Sequence, residues 1–150
     1  MVPDGEQADL VAVFKAERRL TLSRAGSVLK TYRVALGFAP EGHKEREGDG
    51  RTPEGAYTID ARNPRSAFHL SLRVSYPDDK DKARAASRGV PPGGDIYIHG
   101  QPNERPKVPP KVPGDHPNRD WTTGCVAVTD AEMREIWSLV PRGARVVIHP

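Results

Sequence analysis

The sequence predicts a mainly β domain with a sandwich-like arrangement of sheets and one clear helix near its end. Its 150 residues are close to the usual size of one domain, so we expect residues 1–150 to share a single core. Its 14 glycines and 15 prolines separate short apolar runs by turn signals. That pattern is typical of strands joined by turns rather than of packed helices.

Short apolar or alternating runs predict the strands, the first three of which resemble a small meander. The predicted strands are residues 10–14, 19–22, 29–36, 56–59, 68–74, 95–99 and 144–148. Residues 40–55 are rich in Gly and charged side chains and predict a loop. The charged, Ala-containing residues 78–88 are compatible with a short helix or with a solvated excursion.

Two further segments complete the predicted order. Residues 101–119 contain six prolines in 19 positions, which predicts a long surface loop because Pro removes backbone donors. Thr129 and Glu132 have capping-box spacing and predict the start of a helix, which Pro141 and Gly143 end. The apolar stripe of this helix is typical of core packing and consists of Met133, Ile136, Trp137 and Val140.

Composition excludes several classes of protein. The formal net charge of +3 is too small to indicate nucleic-acid binding without a dense basic run. No apolar stretch approaches the roughly 20 residues that cross a bilayer, so we expect no membrane-spanning segment. The first residues lack the basic and then apolar profile of a signal peptide. This predicts either a cytoplasmic protein or a chain whose leader has been removed.

Cys125 is the one cysteine of the chain, which excludes an intramolecular disulfide and a CxxC-type zinc or redox site. In residues 96–99 the two isoleucines share one strand face, which places His99 on the other. In residues 125–128 the two valines share a face, which leaves Cys125 opposite. If the two strands are neighbours with their apolar faces inward, His99 and Cys125 emerge together as a nucleophile and its base. The alternative is a buried Cys beside a His that merely ends a strand.

A catalytic role for this pair implies two further features. An adjacent imidazole raises the thiolate fraction, so we expect the pKa of Cys125 to be depressed. Gly124 lets a substrate carbonyl approach the backbone closely. The backbone N–H groups of Thr123, Gly124 and Cys125 are candidates for an oxyanion hole.

The motifs in this region resemble those of a known family. His99-Gly100 ends a predicted strand, and Thr122-Thr123-Gly124-Cys125 follows the Pro-rich segment. Upstream, residues 52–57 read Thr-Pro-Glu-Gly-Ala-Tyr. This combination resembles the YkuD-type L,D-transpeptidase catalytic domain, and the run Asp-Trp-Thr-Thr-Gly-Cys resembles its murein L,D-transpeptidase-like subgroup.

The resemblance implies a β-sandwich of the L,D-transpeptidase type, with a short C-terminal helix and a long Pro-rich loop, and a reaction on peptidoglycan stem peptides. Cys125 would attack the carbonyl at the L-centre of the third stem residue, usually a diaminopimelate, and expel D-Ala. The acyl group would pass from a Cys125 thioester to a side-chain amine, giving a 3→3 cross-link. His99 would be the general base, and the carbonyl of Gly100 would hold its tautomer. The resemblance implies no cofactor and a periplasmic or otherwise extracytoplasmic location.

Thr123 and Ala127 stand where the family often has a His and a polar or Arg residue, and this leaves the acceptor open. A hydrolytic relative, either an L,D-carboxypeptidase or an endopeptidase, is one alternative, and a non-catalytic wall-binding module is another. His69 is a candidate ligand for a substrate carboxylate or else a hydrogen-bonded structural His. Trp121 either walls the pocket or packs beneath the Pro-rich loop. The remaining histidines share no metal-ligand spacing with His99, so we expect no metal site.

Overall fold

The computed structural model describes residues 7–101, 103 and 120–150. Its elements in chain order are β1 (Leu10–Phe14), β2 (Arg19–Arg24), β3 (Ser27–Arg33), β4 (Gly55–Ser66), β5 (His69–Val74), α1 (Asp79–Ser87), β6 (Tyr97–His99), β7 (Val126–Ala127), α2 (Asp130–Leu139) and β8 (Arg145–His149). The prediction of a mainly β fold is confirmed. The predicted Pro-rich loop lies outside the described residues, apart from residues 101 and 103.

The strands form an eight-stranded sheet in the order β3-β2-β1-β8-β4-β5-β6-β7. The long strand β4 belongs to both halves, because its first residues pair with β8 and its later residues pair with β5. Register shifts near Ile59 and Asn63 bend β4, so the sheet curls. Beyond β3, Ala35 and Gly37 form bridges to Ala127 and Thr122. These bridges bring the two ends of the strand order together around the core.

Helix α2 agrees with the sequence prediction. The Thr129 hydroxyl accepts a hydrogen bond from the Glu132 N–H, and the Glu132 carboxylate accepts one from the Thr129 N–H. Most of the predicted stripe is buried, whereas Trp137 is half-buried with the guanidinium of Arg62 lying 4.1 Å above its ring. The burial of this stripe fixes α2 against the curled sheet.

The structure decides one open alternative in favour of a helix and extends one strand beyond its predicted end. Residues 79–87 form a helix, and Asp78 and Asp81 make a capping box at its start. Strand β4 continues seven residues past the predicted end at Ile59, to Ser66. Three of its last six residues are exposed, Pro64 among them, and the one buried residue is Ser66, so this half lacks the apolar alternation that marks a strand. Within the described ranges, neither helix is long and apolar enough to span a bilayer.

Candidate active site

A cavity of about 390 Å³ opens between the β4–β5 turn, the start of β6 and the segment that leads into β7. His99 and Cys125 both line it, as do Phe68, Tyr97 and Trp121. The cavity therefore contains the two side chains that the sequence marks as a nucleophile and its base.

Strand pairing explains why these two side chains line the same cavity. β6 runs parallel to β7, with Ile98 opposite Val126 and His99 opposite Ala127. The isoleucines and valines of these segments are buried in the core. Because side chains alternate along a strand, the opposite faces carry His99 and Cys125 to the cavity. The strand adjacency on which the sequence argument depended is thus present.

A tight turn presents Cys125. The hydroxyl of Thr122 donates to the carbonyl oxygen of Cys125 at 2.7 Å and accepts a hydrogen bond from the Gly124 N–H at 3.1 Å. Gly124 has a φ of +139°, and a Cβ there would lie 2.8 Å from the carbonyl oxygen of Arg51. Position 124 therefore has room only for Gly, both because of its backbone conformation and because another backbone segment passes close by.

The Cys125 thiol is buried and makes its hydrogen bonds with backbone groups. Its S–H donates to the carbonyl oxygen of Asp95 at 3.2 Å, and the Tyr97 N–H donates to Sγ at 3.4 Å. Burial raises the pKa of the thiol to about 11, which outweighs the opposite effect of the Tyr97 N–H. The expectation of a depressed pKa is therefore wrong for the resting protein, since the cost of burying a thiolate dominates.

The His99 imidazole is held in one orientation. Its Nδ1 lies 2.7 Å from the carbonyl oxygen of Gly100. A carbonyl only accepts, so Nδ1 carries the proton and Nε2 is left with its lone pair. Burial lowers the pKa of His99 below its ordinary value of 6.5, although the bond to Gly100 acts in the opposite direction. At neutral pH the resting site thus contains a neutral imidazole and a neutral thiol.

Gly100 is a position of close approach. A Cβ there would lie 2.5 Å from Oδ1 of Asp130. The same carboxylate oxygen accepts the Gln101 N–H at 2.8 Å, and the Gly100 N–H donates to the carbonyl of Phe68 at 2.9 Å. These contacts fix the peptide unit whose carbonyl binds His99.

Aromatic rings enclose the imidazole. Phe68 stacks on His99 with ring centroids 4.5 Å apart, and the Trp121 ring lies 5.9 Å from it. Of its two predicted positions, Trp121 occupies the cavity wall. The sequence argument did not select Phe68 for the site, because it counted this residue among the apolar positions of a strand. The structure instead places Phe68 just before β5.

The other predicted residues divide between this cavity and its surroundings. Thr123 lines the cavity. His69 lies outside the described lining, and its backbone N–H donates to the side-chain oxygen of Asn103 at 3.0 Å. The predicted binding of a carboxylate by His69 stays a prediction. Across the described ranges, the structure contains no group of three or more His, Cys, Asp or Glu side chains that could hold a metal ion.

Comparisons with known proteins identify similar sequences and folds. A protein of Escherichia coli strain K12 named "Putative L,D-transpeptidase YafK" is 25% identical over an alignment of 146 residues, and the alignment covers 93% of this chain and 50% of the relative. The helical cell shape determining protein Pgp2 from Campylobacter jejuni has a TM-score of 0.69 at 21% identity, over 96% of this chain and 48% of that one. Bd1075 of Bdellovibrio bacteriovorus has a TM-score of 0.63 at 22% identity, over 97% and 49%.

The chain spans about half the length of these relatives, and the two solved structures show a shared fold. A family model provides the assignment. The model of YkuD, the L,D-transpeptidase catalytic domain, matches residues 8–148, which is nearly the whole chain. The chain therefore belongs to the YkuD family of L,D-transpeptidase catalytic domains.

Proposed function

We propose that this chain transfers acyl groups between peptidoglycan stem peptides through a thioester at Cys125 and forms 3→3 cross-links. The observation that carries the proposal is the shared cavity of Cys125 and His99, two side chains from neighbouring strands. Nucleophilic catalysis by a thiol requires a base in the same site, and a carbonyl holds Nδ1 of this imidazole so that Nε2 can accept a proton. Peptidoglycan lies outside the cytoplasmic membrane, so we propose an extracytoplasmic site of action.

In the first step, the sulfur of Cys125 attacks the carbonyl carbon that joins the third stem residue to D-Ala. The thiol proton passes to Nε2 of His99 as the C–S bond forms. When the tetrahedral intermediate collapses, the C–N bond breaks and the proton moves from His99 to the departing amine of D-Ala. The products are free D-Ala and a thioester.

In the second step, an amine of another stem peptide attacks the thioester carbon. His99 accepts the proton of the amine and then returns it to the departing sulfur, which restores the resting site. Because both resting groups are neutral, each step creates an imidazolium transiently. The rings of Phe68 and Trp121 support that cation through their π faces.

The tetrahedral intermediate carries a negatively charged oxygen. Backbone N–H groups of the turn before Cys125 would bind this oxyanion. The Gly124 N–H is already bonded to the Thr122 hydroxyl, so the N–H groups of Thr123 and Cys125 are the candidates. A preorganised donor of this kind is typically worth about 3–4 kcal/mol of barrier.

A hydrolytic relative would use the same residues with water as the acceptor. Thr123 and Ala127 support this hydrolytic alternative, because they stand where the family often has a His and a polar or Arg residue near the nucleophile. Water would attack the thioester, and the product would be a free tripeptide in place of a cross-linked dimer.

The experiment that tests the proposal incubates the protein with purified tetrapeptide muropeptides and identifies products by mass spectrometry. Cys125→Ala and His99→Gln are run beside it, and intact-mass analysis checks for the thioester. Cross-linked tripeptide dimers that are lost in both variants support the proposed function. Free tripeptide and D-Ala alone support hydrolysis. Unchanged muropeptides and no adduct would contradict both candidates and leave the wall-binding module.

A further inference from the structure

The wall of the cavity carries one carboxylate and no Lys or Arg among its described residues. Asp95 lines the cavity together with hydroxyl, amide and aromatic side chains and the catalytic pair. His99 adds no charge in the resting state, because burial favours its neutral form by lowering its pKa. Among the described lining residues, Asp95 therefore supplies the one negative charge, which neither step of the proposed reaction uses.

Asp95 lies next to the nucleophile. Its carbonyl oxygen accepts the S–H of Cys125 at 3.2 Å, and the hydroxyl of Tyr97 lies 3.5 Å from its Oδ1. Its φ of +55° places it in the left-handed region, where Asp and Asn are tolerated better than most residues. The carboxylate is exposed, and its charge acts on the Cys125 thiol.

The cations that act electrostatically on this part of the site are bound elsewhere. Arg73, whose charge Asp95 influences, has its Nε 2.7 Å from Oδ1 of Asp60. Lys44, whose charge reaches Cys125, has its Nζ 2.9 Å from Oδ1 of Asp49. In the part of the chain that the structure describes, Asp95 itself forms no ion pair. Among these described residues, therefore, no cation competes with a ligand for its carboxylate.

We propose that Asp95 binds a primary ammonium group of the wall peptide and makes the site selective for peptides that carry a free amine beside the reacting carbonyl. The inference rests on the proposed function, because it takes the stem peptide as the ligand. A carboxylate hydrogen-bonded to an ammonium is the stronger, charge-assisted kind of contact. An anionic group in the same position would be repelled.

The ammonium has two possible sources, the side-chain amine of the donor stem and the amine of the acceptor stem. Both present the same chemistry to Asp95. They differ in the step at which the contact matters, because the donor amine acts before the thioester forms and the acceptor amine acts after it.

The first experiment measures binding without turnover. Cys125→Ala protein is titrated by calorimetry with a stem tetrapeptide that has a free side-chain amine, and with the same peptide acetylated at that amine. We expect the free amine to bind about 10- to 100-fold more tightly and Asp95→Asn, added to Cys125→Ala, to remove the difference. Asn keeps the left-handed backbone of position 95 accessible. Asp79→Asn, the same change on the exposed start of α1, is the matched control and should leave the preference intact.

The second experiment assigns the source in active enzyme. A raised KM for thioester formation in Asp95→Asn identifies the donor amine, and a raised KM for the acceptor in the transfer step identifies the acceptor amine. Equal binding of the free and acetylated peptides, or a preference that survives Asp95→Asn, would overturn the inference. If wild-type protein binds with the expected preference yet forms no thioester, the proposed function alone fails.

Discussion

The guanidinium of Arg18 binds the carboxylate of Asp120 through two atoms, with Nε 3.0 Å from Oδ1 and Nη2 2.7 Å from Oδ2. The Leu36 N–H donates to the same Oδ1 at 3.0 Å. Asp120 begins the described segment that leads to Cys125, so this one carboxylate ties that segment to the β1–β2 turn and to the chain after β3. Bidentate pairs of this kind fix geometry as well as adding stability.

Replacing Asp120 should therefore weaken both the fold and the site. We expect Asp120→Ala to lower the free energy of unfolding by about 1–3 kcal/mol and to reduce thioester formation, because the turn before Cys125 loses its anchor. Urea unfolding and intact-mass kinetics measure the two effects. Glu17→Ala, which removes the exposed pair of Glu17 with Arg19, should cost less than about 1 kcal/mol. Equal losses in the two variants would show that Asp120 is not an anchor.

Gly124→Ala should destabilise the protein through two separable effects. The new Cβ would meet the carbonyl oxygen of Arg51 at 2.8 Å, and φ at position 124 is +139°. We expect a loss of about 2–4 kcal/mol in the free energy of unfolding, from backbone strain and overpacking together. Gly143 also has a positive φ, but a Cβ at that position would meet open space, so Gly143→Ala should show only the strain, about 1–2 kcal/mol. A smaller loss at position 124 than at position 143 would contradict the close approach.

Alkylation of Cys125 should be slow at neutral pH and should accelerate about tenfold per pH unit, because only the thiolate reacts and burial raises the thiol pKa to about 11. The rate of iodoacetamide labelling, followed by mass spectrometry from neutral pH upward, measures this. Since the thiol bonds to the backbone of Asp95 and Tyr97, His99→Gln should change the profile little. A plateau that begins below about pH 8.5, the ordinary thiol value, would contradict the raised pKa. Slow labelling that does not depend on His99 is also the result expected of a buried cysteine without a catalytic role, so the thioester assay is needed to distinguish the two roles of Cys125.

The activity of the enzyme should persist on the acidic side of pH 6.5. His99 must be neutral to accept a proton, and burial lowers its pKa below the ordinary value of 6.5. The rate of thioester formation should thus stay level as pH falls through 6.5 and decline only at lower pH. A pH profile of kcat/KM whose acidic limb has its midpoint above 6.5 would be inconsistent with a buried neutral imidazole.

The same shift makes the stability of the fold depend on pH. A histidine whose pKa is lower in the folded than in the unfolded state binds more protons when unfolded, between the two values. Its contribution is complete above 6.5 and is lost as pH falls toward the lower folded pKa. Urea unfolding at about pH 7.5 and about pH 5 should show a larger loss in wild type than in His99→Gln. The difference isolates His99, because the other titrating groups are common to both proteins.

The parts of the fold that follow apolar periodicity were predictable from sequence, and the parts that depend on polar contacts were not. Helix α2 combines a capping box with a buried stripe, so both local signals agree. Helix α1 has a capping box too, but its buried residues are Asp81 and Ala85. Asp81 is held by polar contacts with Tyr57 and His43, which lie far away in sequence and leave no periodic trace.

The site shows the same division. Alternation in two strands was enough to place His99 and Cys125 on one side, since only pairing of the strands had to be assumed. Their charge states could not be predicted, because these depend on how deeply distant segments bury them. Phe68 precedes His99 in the sequence and Trp121 follows it, and only the tertiary fold brings both rings to the imidazole. The neutral resting pair is a property of that packing.

The bridge between Ala35 and Ala127 has a consequence for the solubility of the protein. Strand β7 is short and apolar and ends the strand order, so its outer backbone groups would otherwise invite pairing with another molecule. The Ala35 N–H donates to the Ala127 carbonyl at 3.0 Å, and the Ala127 N–H donates to the Ala35 carbonyl at 2.9 Å. The strand that follows Cys125 is thereby protected from edge-to-edge aggregation, although it lies next to an open cavity.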